Sequence, residues 1–199
     1  MSDDANNKPR MTWKSAEPKY REEKQGELRW IVSKETTENT ATGARHTRAT
    51  IRHPGVVVIL PIQDDGKILL MRQYRYATDD VLWELPAGTR EGREEGRFVT
   101  SDETPEECAA RELEEETGWR ASRLECIGEA YAMPGMSDEL IWCFEARGLV
   151  RTKDDRDEGE LILEVRAVAE EDLRRMVASN EIRDAKTLAA LVFHWARSG

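Results

Sequence analysis

Three short apolar segments dominate the middle of the chain. The first, VVVIL (56–60), precedes the turn signal Asp64-Asp65-Gly66. β-Branched and aliphatic residues in short runs predict strands, and an Asp-Gly turn predicts that the following strand returns antiparallel. We therefore expect KILLMRQYRY (67–76) to return as a second strand after this hairpin turn signal, and VLWEL (81–85) to form a third strand.

A helix with clear start and stop signals follows these strands. Thr104 can cap its first turn, Pro105 suits the first helical position, and Glu107 completes a capping box. Gly118 provides a left-handed stop, so the helix is predicted to end at about Thr117.

The same patterns continue towards the C-terminus. Strands are predicted at about residues 122–131, 139–149 and 161–169, and helices at 170–179 and 184–197. Residues 89–102 have little apolar content and two glycines, which predicts a surface loop. Strands with helices on both sides in the sequence indicate an α/β (α+β) fold in which helices sandwich a mixed sheet.

The N-terminal part has a different composition. Residues 1–18 are polar and are predicted to form a loose arm, whereas residues 20–52 have weak strand character and are predicted to form a small sheet. We therefore divide the chain into an N-terminal extension, residues 1–52, and a main domain, residues 53–199.

Charge and cysteine content restrict the partners and the compartment. The 199-residue chain has 30 Lys+Arg and 40 Asp+Glu, a net charge of -10, which argues against binding to nucleic acid or to an anionic membrane. No apolar run approaches the roughly 20 residues that cross a bilayer. Its 3 cysteines lack CxxC spacing, so we expect a reducing, cytoplasmic location.

The most informative segment is the acidic end of the predicted helix. At about 100° per residue, Glu112, Glu115 and Glu116 fall on one face, whereas Arg111 and Glu114 point elsewhere. An exposed acidic face is common because like-charge pairs cost only about 0.2–0.5 kcal/mol each. Three carboxylates on one face also suit a hard cation such as Mg²⁺. Spacing alone leaves both interpretations open.

The flanking residues resemble the Nudix hydrolase signature, G-x5-E-x7-R-E-U-x-E-E-x-G-U, in which U is bulky and apolar. The matching residues are Glu103, Arg111, Glu112, Leu113, Glu115, Glu116, Gly118 and Trp119. The resemblance implies a hydrolase with an α/β/α sandwich that uses Mg²⁺, with Mn²⁺ as a substitute. It also implies that Glu112, Glu115 and Glu116, together with the Ala87 carbonyl, bind the metal.

The resemblance implies supporting roles as well. Glu115 also counts among the catalytic residues, Arg111 braces the carboxylates, and Glu103 supports the preceding loop or binds a further ion. The signature's first glycine departs from the expected spacing. Gly88 is preferred over Gly96, although nine more residues than in the signature then separate it from Glu103.

The resemblance extends over residues 53–197 to the ADP-ribose pyrophosphatase branch of the family. HPGVVVILPI, LLMRQYR, LWELPAG, PGMSDE and IRDAKT carry it, and Pro134 lies sixteen residues beyond Gly118, a position associated with ADP-ribose hydrolysis. The implied reaction converts ADP-ribose to AMP and ribose 5-phosphate. Alternatives are hydrolysis of a nucleotide sugar or dinucleotide, non-catalytic nucleotide sensing and RNA decapping, which the acidic charge disfavours.

Other site residues can be interpreted in two ways. Arg75, and secondarily Arg72, are either surface cations or a clamp for the diphosphate. Ser137 and Glu139 are either ordinary turn residues or contacts to the substrate ribose.

The resemblance further implies that a glutamate in the loop just before the predicted strand at about 161–169 is the general base. Glu160 and Glu158 are nearly equal candidates for that role. Trp13 and Trp30 are available to stack on adenine, although no motif selects either. The family also implies a homodimer to which the N-terminal extension contributes.

Overall fold

The computed structural model describes residues 11–24, 27–152 and 161–197. Its strands are β1 (Met11–Lys24), β2 (Glu27–Asn39), β3 (Arg45–Arg52), β4 (Val56–Pro61), β5 (Ile68–Arg75), β6 (Asp80–Glu84), β7 (Ala87–Thr89), β8 (Arg93–Glu95), β9 (Phe98–Thr100), β10 (Trp119–Tyr131), β11 (Leu140–Arg151) and β12 (Ile162–Val168). Its helices are α1 (Pro105–Thr117), α2 (Glu170–Ala178) and α3 (Ala185–Arg197).

Two sheets form the centre of the main domain. The first has the order β10-β11-β4-β7 and is mixed, because β4 runs parallel to β11 and antiparallel to β7. The second has the order β12-β5-β6 and is antiparallel. Strand β6 of the second sheet ends at Glu84, and β7 of the first sheet begins at Ala87. This short connection brings residues of both sheets to one site.

Strand β4 is buried on both faces, which explains its continuous apolar sequence. Val57 and Ile59 belong to a buried cluster with Leu113 of α1. Val58 and Leu60 belong to a second buried cluster that includes residues of α2 and α3. Helices therefore cover both faces, and the predicted α/β/α sandwich with a mixed central sheet is confirmed.

Helix α1 has the predicted ends. The Thr104 side chain accepts a hydrogen bond from the Glu107 amide, and the Glu107 carboxylate accepts one from the Thr104 amide at 2.8 Å. Gly118 ends the helix in the left-handed region, with φ 70°. None of the helices in the described part of the chain is long and apolar enough to cross a membrane.

The expectation of a loose arm over residues 1–18 is wrong for residues 11–18, which lie in β1. This strand pairs with β2 at the edge of a separate sheet of order β1-β2-β3. The side chains described on β1 are almost all exposed, so no alternation of apolar residues marked the strand. Pro18 is compatible with this position because an edge strand can lack one donor.

The expectation of a surface loop over residues 89–102 is also wrong. Strands β8 and β9 form a short hairpin there that lies against the N-terminal sheet. Val99 is buried with Leu28 and Ile31 of β2, and the Leu28 amide donates to the Gly92 carbonyl at 3.3 Å. The insertion therefore joins the N-terminal sheet to the main domain. The division of the chain into two domains at residue 53 stays a prediction.

Candidate active site

The last turns of α1 bury two of the three predicted metal ligands. Glu112 and Glu116 have exposures of only 7% and 2%, whereas the Glu115 side chain is 42% exposed. Burying a carboxylate is costly unless hydrogen bonds compensate. The Ala87 amide donates one such bond to Glu116 Oε2 at 2.8 Å. This bond joins the helix directly to the start of β7.

Arg111 folds back over the acidic face, so the expectation that it points elsewhere is wrong. Its Nη1 donates to Glu112 Oε1 at 2.7 Å and to Glu115 Oε2 at 3.1 Å, and its Nε donates to Glu103 Oε1 at 2.9 Å. Burial opposes the charge of Arg111, but its bonds to Glu103 and Glu112 outweigh burial and raise its pKa. One guanidinium thus organises carboxylates from two segments.

Gly88 lies where no side chain can fit. A Cβ atom at this position would lie 1.9 Å from both Cδ and Oε1 of Glu112. At Gly96, by contrast, a Cβ atom would meet nothing within 4 Å. This contact supports Gly88 as the glycine of the signature, because only there does the absence of a side chain make room for an acidic residue of α1.

A cavity of about 390 Å³ opens beside these residues. Its walls come from β2, β3 and the segment after it, β4, β5, β7, the loop before β11 and the start of α3. The lining residues are Trp30, Ile51, His53, Val56, Arg75, Ala87, Gly88, Thr89, Glu139 and Lys186. The cavity thus contains the predicted residues Arg75, Ala87 and Glu139.

Arg75 is held at the cavity by a buried carboxylate that the sequence did not reveal. Its Nε and Nη2 donate to the two oxygens of Glu84 at 2.9 and 2.7 Å, and Glu84 is only 1% exposed. Burial alone would lower the pKa of Arg75, but the fork to Glu84 and the charge of Glu116 outweigh it and raise the pKa. Arg75 therefore lies within electrostatic range of Glu116 on the acidic helix.

Glu139 and Ser137 occupy different environments. Glu139 lines the cavity, and burial raises its pKa while the nearby charge of Lys186 opposes that rise. Ser137 is buried, and its Oγ accepts a hydrogen bond from the Glu139 amide at 3.1 Å. Ser137 lines a neighbouring cavity of about 550 Å³ instead, and it adjoins the first cavity through Glu139 and through its backbone bridge to Ile51.

The structure does not bring Arg72 to the cavity. Arg72 lies three positions before Arg75 on β5, hence on the other face of the strand. It lies over the Trp83 ring at 5.5 Å and 3.6 Å from Glu164. The prediction that Arg72 binds the diphosphate together with Arg75 is therefore wrong for the site within one chain.

The two candidate bases lie outside the described residues. Glu158 and Glu160 fall in the segment 153–160, and their assignment stays a prediction.

Aromatic residues of the N-terminal sheet lie at two different places. Trp30 lines the first cavity and stacks on His53, with ring centroids 6.0 Å apart. Burial lowers the pKa of His53 to about 4, so this ring is neutral near pH 7. Trp13 lines the neighbouring cavity, where Arg52 and Arg97 lie over its ring.

Comparisons with known proteins agree with this geometry. The family model for the NUDIX domain matches residues 51–191. The chain belongs to the Nudix family. It is 39% identical to an ADP-ribose pyrophosphatase of Bacillus subtilis over 76% of this chain and 77% of the relative. It is 31% identical to an ADP-ribose pyrophosphatase of Mycobacterium tuberculosis over 77% of this chain and 71% of the relative.

A solved structure supports the fold of this Nudix protein. The crystal structure described as an ADP compounds hydrolase superposes with a TM-score of 0.73, covers 94% of this chain and 95% of its own, and is 22% identical. At this identity the likeness concerns the fold alone. The predicted family and the class of Nudix pyrophosphohydrolase are confirmed by the family match and the relatives.

Nudix hydrolases generally use divalent metal ions, and the donors of this site fit one. Glu112 and Glu116 are buried carboxylates on one helix face, which offer the oxygen donors that a divalent ion takes, and Gly88 leaves room beside Glu112. Within the described ranges, no three acidic, histidine or cysteine side chains converge closely enough to form a ready metal cluster. Arg111 contacts both Glu112 and Glu115, so a divalent ion would share these carboxylates with its guanidinium.

Lys186 and Glu84 are the site residues that sequence reasoning missed. IRDAKT was part of the family resemblance, but no role was given to Lys186 within it. Its Nζ lies 2.7 Å from Asp184 Oδ1 and 3.5 Å from Glu84 Oε2. The only signals in the sequence were a glutamate two residues before the Pro86-Ala87-Gly88 turn and the lysine of IRDAKT.

Proposed function

We propose that this protein hydrolyses the pyrophosphate bond of ADP-ribose to AMP and ribose 5-phosphate, with Mg²⁺ as the metal and Mn²⁺ as a substitute. The observation that carries the proposal is one cavity that joins Arg75 to the carboxylates of α1 through Ala87 and Gly88. The named activity of the two relatives supports the choice of substrate.

The metal would be held by Glu112, Glu115, Glu116 and the Ala87 carbonyl. When bound, a divalent ion neutralises the diphosphate, polarises phosphorus and lowers the pKa of water. Arg111 keeps Glu112 and Glu115 side by side, and Glu103 holds Arg111 in turn.

The remaining residues bind and orient the substrate. Arg75 donates to the diphosphate, and its fork to Glu84 fixes the plane of the guanidinium before the substrate arrives. Glu139 faces the terminal ribose, and Ser137 orients Glu139 through its backbone. Glu160 or Glu158 takes the proton from the attacking water. Such a reaction needs barrier lowering on the order of 15 kcal/mol.

Glu116→Gln tests the metal assignment. The amide oxygen of glutamine can still accept from the Ala87 N–H, so the fold is retained while a charged ligand is lost. We expect Mg²⁺-dependent AMP release to fall by about 100-fold or more. Glu114→Gln on the same helix is the matched control, because Glu114 pairs with Arg120 instead. Wild-type turnover in the Glu116 variant would refute the metal assignment.

Two further experiments define the reaction. Comparing kcat for Glu158→Gln and Glu160→Gln identifies the base, and normal kcat in both would refute the assignment of that segment. A substrate panel with nucleotide sugars and dinucleotides tests the preference for ADP-ribose. Binding of ADP-ribose with Mg²⁺ but without AMP release would instead indicate a sensing module.

We also propose a cytoplasmic homodimer that binds neither nucleic acid nor membranes. The three cysteines are free thiols, in keeping with a reducing compartment. Trp30 of β2 and Ile51 of β3 line the cavity, so the N-terminal sheet contributes to the site within one chain. Light scattering coupled to gel filtration measures the oligomeric state, and a monomer at micromolar concentration would contradict the dimer.

A further inference from the structure

We propose that Lys186 is a second substrate-binding cation, which together with Arg75 forms a two-point clamp, one cation for each phosphoryl group of a diphosphate. The inference deepens the proposed function and rests on it, since it assumes a substrate with two linked phosphoryl groups. Arg75 reaches the cavity from β5 and Lys186 from the first turn of α3.

The two cations lie near the same buried carboxylate oxygen. Glu84 Oε2 lies 2.7 Å from Arg75 Nη2 and 3.5 Å from Lys186 Nζ. Both cations therefore lie within 3.5 Å of one carboxylate oxygen, and both line the same cavity. A carboxylate between two cations lowers their mutual repulsion, so they can remain close together in the absence of substrate.

The Glu84 carboxylate does not need this lysine as a partner. The fork from Arg75 already gives both oxygens of Glu84 a charged partner, and the 3.5 Å distance to Lys186 is long for a hydrogen bond. Lys186 bonds Asp184 Oδ1 at 2.7 Å, while the amide and hydroxyl of Thr187 donate to Oδ2, so the lysine also stabilises the start of α3. A lysine with 22% of its side chain exposed has nevertheless lost rotamer freedom and hydration.

The first turn of α3 is anchored so that Lys186 keeps its position. The Asp184 carboxylate accepts from the Thr187 amide at 2.8 Å, as a helix cap does. The Thr187 hydroxyl accepts in turn from the Leu85 amide at 2.9 Å, and Thr187 is fully buried. Leu85 follows Glu84 directly in the chain, so this bond ties the helix to the end of β6, beside the carboxylate that both cations share.

The two cations suit different parts of a diphosphate. A guanidinium that is fixed in a plane presents paired donors to one phosphoryl group, whereas an ammonium is a compact charge with donors that can rotate. A ligand with a single phosphoryl group can be bound by Arg75 without Lys186. Loss of Lys186 should therefore weaken binding of a diphosphate more than binding of a monophosphate.

Calorimetric titration in the presence of Mg²⁺ measures the affinity for a diphosphate and for a monophosphate and so tests this difference in binding. The probes are methylenediphosphonate, which carries two linked phosphoryl groups and resists hydrolysis, and inorganic phosphate, which carries one. We expect Lys186→Met to weaken binding of methylenediphosphonate by about 10- to 100-fold. Phosphate affinity should change by less than about threefold, and KM for ADP-ribose should rise. Lys67→Met is the control, since Lys67 is half-exposed and pairs with Asp65 away from the cavity.

The outcomes separate the two proposals. Unchanged methylenediphosphonate binding in Lys186→Met, or an equal loss for both probes, would overturn the clamp. Lys186→Gln removes the charge but keeps a polar side chain, and it gives the same comparison if the methionine variant does not fold. A wild-type protein that binds methylenediphosphonate through Lys186 but does not cleave ADP-ribose would overturn the proposed function instead.

Discussion

Replacing Gly88 by alanine is the most direct test of how β7 and α1 form the site. The added Cβ would lie 1.9 Å from Cδ and Oε1 of Glu112, whereas real Cβ atoms do not approach closer than 3.0 Å. Either the backbone of β7 or the Glu112 side chain must therefore move by about 1 Å. Gly88 pairs with Val57 of the buried strand β4, so the backbone of β7 resists the shift and the Glu112 carboxylate is displaced.

The magnitude follows from these contacts. Overpacking of a tight site costs about 1–3 kcal/mol of stability. Displacement of a catalytic group by about 1 Å can cost on the order of 100-fold in rate. Displacing Glu112 also breaks its 2.7 Å bond to Arg111, which holds Glu115 as well. We therefore expect Gly88→Ala to fold with a lowered melting temperature and to lose about 100-fold in kcat for Mg²⁺-dependent AMP release.

Gly96→Ala is the matched control. Gly96 has a φ of 63° and open space around it, so alanine there costs about 1–2 kcal/mol of backbone strain without touching the site. In addition, the stability cost of Gly88→Ala should shrink in a Glu112→Ala background, because the clashing group is gone. Wild-type kcat in Gly88→Ala, or an equal loss of kcat in Gly96→Ala, would refute the reasoning.

Two further predictions concern the N-terminal sheet and the segment that follows it. Glu35→Ala should cost about 3–5 kcal/mol in urea unfolding, because it removes a forked partner at 2.6–2.8 Å from the buried Arg52. Glu38→Ala, at an exposed pair, should cost less than about 1 kcal/mol. Burial lowers the pKa of His53 in the folded protein to about 4, compared with about 6.5 in the unfolded chain. Between these pH values the unfolded chain binds more protons than the folded protein, so the free energy of unfolding should decrease as the pH falls from about 6.5 to about 4. His53→Asn keeps an acceptor for the Gly55 amide and should flatten this pH dependence; an unchanged slope would contradict it.

The elements predicted best are those whose sequence and tertiary environment agree. Strand β4 reads as apolar throughout because helices cover both of its faces, and α1 carries its own start and stop signals. Strand β1 gave no such signal, because its described side chains are mostly exposed and its pairing with β2 depends on backbone bonds. The hairpin β8–β9 escaped prediction for the same reason, since Val99 is its one buried apolar residue.

The site could be predicted only as far as its motif reached. Helical spacing along α1 correctly placed the carboxylates on one face. For Arg111 it gives only the direction in which the side chain leaves the helix, and a long side chain can fold back to a neighbouring face. Glu84 and Lys186 are far apart in the chain and come together where α3 packs on the end of β6, at the bond between the Leu85 amide and Thr187. Such contacts depend on tertiary structure, and no local pattern in one sequence reports them.

The nine extra residues between Gly88 and Glu103 do not displace the residues of the motif, because hydrogen bonds join the two ends of the insertion. Arg90 Nε donates to the Glu103 carbonyl at 2.8 Å, and the Glu91 amide donates to the Glu103 carboxylate at 3.0 Å. Lengthening a closed loop from five to fourteen residues costs only about 0.9 kcal/mol of chain entropy. Burial of Val99 against the N-terminal sheet can offset a cost of that size. Glu103 therefore contacts Arg111 as the motif requires, although its spacing from Gly88 in the sequence does not match.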